Sequence, residues 1–150
     1  MNNPLKALLV AAATVALLTP AATANASNSP EAYCFAKHAT SPGVWVGTYA
    51  PVADDGSCNA AGGLAMASHL TAAPVQSGQV LHIEISWQFF DENGDLAFQT
   101  YQTGLLKLGS GNVVLNGTVT DGDRVGARTH DEGVPTDAIG SYAGIMRVQS

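Results

Sequence analysis

The chain has 150 residues and sets only 6 basic against 12 acidic side chains, a formal net charge of −6. An acidic surface repels phosphate backbones and anionic headgroups, which argues against nucleic-acid partners and against peripheral docking on membranes. One domain of this size buries roughly two-thirds of its unfolded surface, enough for a single core.

The first residues follow the three-part pattern of a secretory signal. Lys6 gives a single positive charge, Ala7 to Leu18 is an apolar run too short to span a bilayer, and Thr19-Pro20 breaks any helix. Ala24-Asn25-Ala26 then supplies the small residues that signal peptidase requires at −3 and −1. The pattern predicts a signal over 1–26, a mature chain of about 124 residues starting near Ser27, and a secreted, extracytoplasmic location. No cysteine stands at the cleavage site, so no lipoprotein anchor is indicated. Loss of Lys6 leaves five basic against twelve acidic side chains.

Residues 27–42 read as a leader segment, helical or irregular. Ser29-Pro30-Glu31 resembles a helix start, with an N-cap, a proline at the first helical position and an acid in the first turn. Lys37 and His38 would then suit the carboxyl end of a helix over about 31–38. Tyr33-Cys34-Phe35 reads equally well as a strand.

After Pro42-Gly43 the pattern becomes alternation and glycine turns, and residues 43–150 are expected to form the β-domain. Val44 to Tyr49 is a predicted strand, Asp54 to Ser57 a loop, and Ala60 to Leu70 contains an irregular strand. Gln79 to Phe90 is the clearest element. Leu81, Ile83, Ile85, Trp87 and Phe89 share one face, and Val80, His82, Glu84, Ser86 and Gln88 the other, the period of a half-buried strand. Asn93-Gly94 is the favoured pair for a two-residue type I′ hairpin turn. That turn sets Phe89 opposite Phe98, Trp87 opposite Thr100 and Ile85 opposite Gln102, and so keeps Phe98 on the apolar face. A three-residue loop would instead set Phe98 opposite Gln88. Further strands are predicted over Val113–Val119, Val125–His130 and Tyr142–Val148. The expected fold class is therefore all-β, a small antiparallel meander closing into a barrel or two-layer sandwich behind the leader, with the barrel preferred.

Two resemblances bear on that fold. Leu115 to Arg128, with its Gly117-Thr118 strand and Gly126-Ala127 pair, followed by Ser141 to Arg147, resembles the closing meander of allene oxide cyclase-like and dirigent-type barrels. It covers about a quarter of the chain. Val125 stands where an aromatic usually precedes the Gly-Ala pair, and no position matches the catalytic residues of the plant enzymes, so the resemblance implies fold and not activity. Gly43-Val44-Trp45 is similar to the Gly-x-Trp signature of the calycin group, including lipocalins, which implies that Arg147 packs over Trp45.

Several residue sets could carry chemistry. Cys34 and Cys58, an even pair in an exported chain, are expected to form a disulfide rather than a zinc site with His38 and His69, whose spacing matches no common module. Asp91-x-Asn93-x-Asp95 mimics the start of a calcium loop but has its glycine at the fourth position, and a hairpin turn accounts for it better. No metal site and no cofactor are therefore expected. His82 with Glu84, and Arg128 with His130 and Glu132, read as a solvated outer face rather than acid–base equipment. Asn116-Gly117-Thr118 fits a glycosylation sequon. Thr100 and Gln102 share the apolar face with Trp87, Phe89 and Phe98, and these five form the candidate ligand pocket. The leading expectation is a non-catalytic exported barrel that binds a small apolar molecule or serves a structural role. The alternative is an isomerase- or cyclase-type enzyme, and a third class is a module that pairs a partner at an open sheet edge. An open apolar cavity with ionisable groups would favour chemistry, and a filled core would argue against binding.

Overall fold

The computed structural model describes residues 29–136 and 139–150, so the expected signal over 1–26 lies outside them. Nine strands follow in order: β1 (Glu31–Ser41), β2 (Val44–Pro51), β3 (Leu64–Leu70), β4 (Val75–Ser77), β5 (Val80–Phe90), β6 (Leu96–Lys107), β7 (Val113–Gly122), β8 (Arg128–Pro135) and β9 (Ser141–Gln149). Each pairs antiparallel with its neighbours in the order β3-β2-β1-β9-β8-β7-β6-β5-β4. A further β3–β5 ladder, Met66 opposite Phe89 through Leu70 opposite Ile85, closes an eight-stranded barrel. β4 is a short extension of the β3 side along β5, from Val75 opposite His82 to Ser77 opposite Val80. Closure pairs both long edges of the sheet and leaves the short outer edge of β4 as its free end.

The leader is corrected: its residues from Glu31 onward are the first barrel strand, not a helix or irregular segment. Its ladders to β2 and β9 satisfy the backbone on both sides, and period-two alternation buries Phe35 and Lys37 while Ala36 and His38 face outward. Tertiary pairing outweighs the Ser-Pro-Glu helix start.

The β5–β6 register is as expected, with Phe89 opposite Phe98, Trp87 opposite Thr100 and Ile85 opposite Gln102. The turn that makes it is different. Asp91 and Asp95 close a three-residue loop, with the Asp91 N–H donating to Asp95 O at 2.9 Å and the Gly94 N–H to Asp91 O at 3.1 Å. Among these residues only Gly94 has positive φ, +85°, so Asn93 is not in the geometry that a type I′ turn demands. The Asp91 carboxylate decides the matter by accepting the N–H groups of Asn93 and Asp95 at 2.8 and 3.0 Å. The one-residue slip that such a loop implies is taken up at once. Phe90 faces Leu96 but Phe89 faces Phe98, leaving Ala97 as a bulge.

The strand expected from Val125 begins only at Arg128. Arg124 to Ala127 make a tight turn, and among the described residues Arg124 is the non-glycine one with positive φ, +65°. Its side chain repays that strain at one end of the barrel. The guanidinium bonds the Glu31 carboxylate and the Tyr33 hydroxyl and lies 5.1 Å from the Phe98 ring centre. Beneath it, Tyr49 meets Phe89 edge-on at 5.0 Å, and Phe89 stacks on Phe98 at 4.4 Å. This end is filled. Cys34 and Cys58 are bridged, with 6.2 Å between their Cα atoms, and tie β1 to the loop after β2.

Candidate functional site

The opposite end of the barrel, where β1 turns into β2, β6 into β7 and β8 towards β9, is open. A cavity of about 280 Å³ enters there, walled by Leu70, Leu81, Ile83, Leu106, Val113 and Tyr142 and floored by Phe35, Trp87 and Leu115. Space is left partly because Gly133 faces the cavity from β8, where any Cβ would stand over the Phe35 ring. Pro74, in the break between β3 and β4, and Gly43, in the β1–β2 turn, form part of the rim.

Besides the Tyr142 phenol of the wall, Lys37 from β1 and Asp131 from β8 bring ionisable side chains into this apolar space. Both point inward by alternation, as Phe35 does beside Lys37 and Thr129 beside Asp131. The Lys37 ammonium lies 3.9 Å from the ring centre of Trp87 and 4.8 Å from that of Trp45, and donates to Ser68 Oγ at 3.2 Å. Trp45 is fixed in turn by its Nε1–H, which donates to Gly140 O at 3.1 Å. Asp131 is 1 % exposed, and neither carboxylate oxygen has a hydrogen-bond partner among the described residues.

Burial drives both groups towards neutrality. Desolvation lowers Lys37 to about 7, against the opposing pull of Asp131. Desolvation likewise raises Asp131 to about 7, although the Gln102 amide and Lys37 both favour its ionised form. The floor thus holds an amine and a carboxyl that exchange protons close to neutral pH, inside an otherwise apolar chamber. Such a pair can bind a polar head, transfer a proton or present a nucleophilic amine.

Of the pocket residues expected from sequence, Trp87 lines this cavity. Phe89 and Phe98 lie in the filled aromatic end, while Thr100 and Gln102 form a buried polar belt between the two halves. Gln102 Nε2 donates to Thr129 Oγ1 at 2.8 Å there. Arg147 does not cover Trp45. It faces outward beside Glu132, 3.7 Å away, and Lys37 occupies the position over the indole. The outer polar sets make surface contacts only: Tyr101 donates to Glu84 at 2.7 Å, and His130 Nδ1 lies 2.7 Å from Asn116 Oδ1. Asp91 spends its carboxylate on the turn, and among the described residues no group of three or more histidine, cysteine or acidic side chains could hold a metal.

Sequence reasoning missed Lys37 and Asp131. The Ser-Pro-Glu start places Lys37 at a helix end, and the strand expected over Val125–His130 stops one residue short of Asp131. The alternation of Tyr33, Phe35 and Lys37, and of Thr129, Asp131 and Gly133, was the available signal. Comparison with protein-family models, curated proteins and solved structures gives no match to this chain.

Proposed function

We propose that this barrel binds one small, largely apolar molecule in its open end, with the molecule's polar head held at the floor by Lys37 and Asp131. The carrying observation is the pairing of an apolar wall with a buried carboxylate that makes no hydrogen bond of ordinary length among the described residues, the neighbouring Gln102 amide donating to Thr129. An unpaired buried acceptor is costly, and a ligand donor that reaches it recovers that cost. At about 280 Å³ the space sits just below the roughly 300–1,000 Å³ of drug-sized ligand sites, so the molecule it accepts is small. The disulfide suits an oxidising compartment, which supports action outside the cytoplasm.

Trp45 and Trp87 both line the cavity and are the chain's 2 tryptophans, so intrinsic fluorescence reports on it directly. Titration with 1-octanol is expected to change the emission saturably, and Ile83→Phe, which fills the space, is expected to weaken that response. An emission indifferent to 1-octanol, or a response unchanged in Ile83→Phe, would refute the proposal.

A second reading is an isomerase- or cyclase-type enzyme. What favours it is the presence of two groups titrating near neutrality in one apolar chamber, where one can donate and the other accept a proton.

A further inference from the structure

The geometry points to Lys37 as a nucleophile that captures small apolar aldehydes as a reversible imine, with Asp131 as the proton donor for loss of water. This rests on the binding reading above and names the ligand class for the same cavity.

Three observations carry it. The Lys37 amine faces a cavity open to solvent at one end, so a small molecule can reach it along the apolar wall. It makes no ion pair: no carboxylate oxygen of a described residue lies within pairing distance of Nζ, and its contacts are two indole rings and one hydroxyl. Asp131 lines the same cavity with both oxygens unpartnered, so its carboxyl is available to a bound molecule. A lysine whose only need was solvation would extend to water, as exposed lysines do. Here the stem stays inside the barrel and the amine is held where a ligand head must arrive.

The chemistry balances without any added reagent. The neutral amine of Lys37 adds its nitrogen lone pair to the aldehyde carbon, and a proton moves from nitrogen to the new alkoxide, giving a carbinolamine. The protonated carboxyl of Asp131 gives its proton to the carbinolamine hydroxyl, the C–O bond breaks, and water leaves. Aldehyde, amine and carboxylic acid thereby become a protonated imine, a carboxylate and water. The two charges formed lie in one chamber, where each offsets the burial cost of the other. Desolvation of both groups supplies the required starting states near neutral pH, a free amine and a protonated carboxyl. Besides Asp131, Tyr142 on β9 is the other titratable side chain lining the cavity near Lys37.

The test uses the wild-type protein and octanal, with 1-octanol as the matched molecule that fills the same space and cannot form an imine. After incubation at pH 7 with octanal and cyanoborohydride, peptide mapping reads where an octyl group has replaced an N–H hydrogen. Labelling of Lys37 is expected to exceed that of exposed Lys107 by roughly tenfold or more, because a solvated lysine amine is almost wholly protonated at that pH. Excess 1-octanol should suppress the Lys37 label and leave the Lys107 label in place. Labelling spread over Lys107 and the terminal amine without excess at Lys37 overturns the proposal, as does Lys37 labelling that 1-octanol fails to suppress. If 1-octanol still shifts the tryptophan emission while labelling is unselective, the covalent step alone falls. If 1-octanol produces no shift, the binding reading falls independently.

Discussion

Replacing Lys37 with methionine is expected to stabilise the fold at pH 7, because the native amine is kept at a cost. Lowering its pKa from 10.5 to about 7 disfavours the protonated form in the barrel by about 4 kcal/mol at pH 7 relative to the unfolded chain. The indole faces of Trp87 and Trp45, 3.9 and 4.8 Å from Nζ, oppose that cost. A desolvated cation–π contact returns about 2 kcal/mol. Methionine retains most of the buried stem and brings no charge. Asp131, deprived of its facing cation, then holds its proton to higher pH, which costs part of the gain. The net expectation is a stabilisation of about 1 to 2 kcal/mol, or roughly 4 to 8 °C in Tm for a domain of this size. The pH dependence supplies the sharper check. Between pH 7 and 10.5 the unfolded wild-type lysine binds a proton that the folded one does not, so wild-type stability rises with pH through that window. Lys37→Met lacks this term, so its advantage should shrink as pH rises, pass through zero within that window and reverse by about pH 10.5. Urea midpoints of both proteins across that range measure it. A variant less stable than wild type at pH 7, or an advantage that grows with pH, would refute the buried-amine account.

Asp131 gives the opposite slope below neutrality: its raised pKa makes stability fall as pH rises from 3.8 to about 7, and Asp131→Asn should remove that decline from the denaturation profile. Phe98→Ala, in the filled end, should cost on the order of 3 to 5 kcal/mol in urea unfolding, and Leu81→Ala, at the cavity wall, much less. Equal losses at the two positions would mean that both ends are packed alike. Gly94→Val should destabilise by about 1 kcal/mol or more, since φ is +85° there, whereas Asn93→Val should be nearly silent; the reverse ranking would restore the type I′ turn. Cys34→Ser with Cys58→Ser should lose about 3 kcal/mol, and two alkylatable thiols in the unreduced wild-type protein would contradict the bridge.

The barrel was legible in the chain wherever alternation ran long enough. Leu81 to Phe89 alternate over nearly the whole of β5, and a slip of one residue would have exposed all of that face, so the partner register followed even though the turn type did not. Ala97 shows why: the buried face dictates the pairing, and a bulge absorbs whatever loop the turn residues prefer. The cysteine pairing followed from count and compartment. The open end was not legible, for a physical reason. Alternation within each strand settles which faces are apolar, but an ionisable residue on such a face is ambiguous until its neighbours are known. Lys37 reads as a helix-end cation and Asp131 as a loop acid when each is taken with its own segment. Only closure of the barrel, through β1 between β2 and β9 and through β3 against β5, brings both inside. Closure also decided which end of the interior is filled and which stays open. Tyr49, Phe89, Phe98 and Arg124 converge at one end, while Gly133 leaves room at the other. That distribution depends on side chains from all eight barrel strands meeting across the interior, information that no single segment contains.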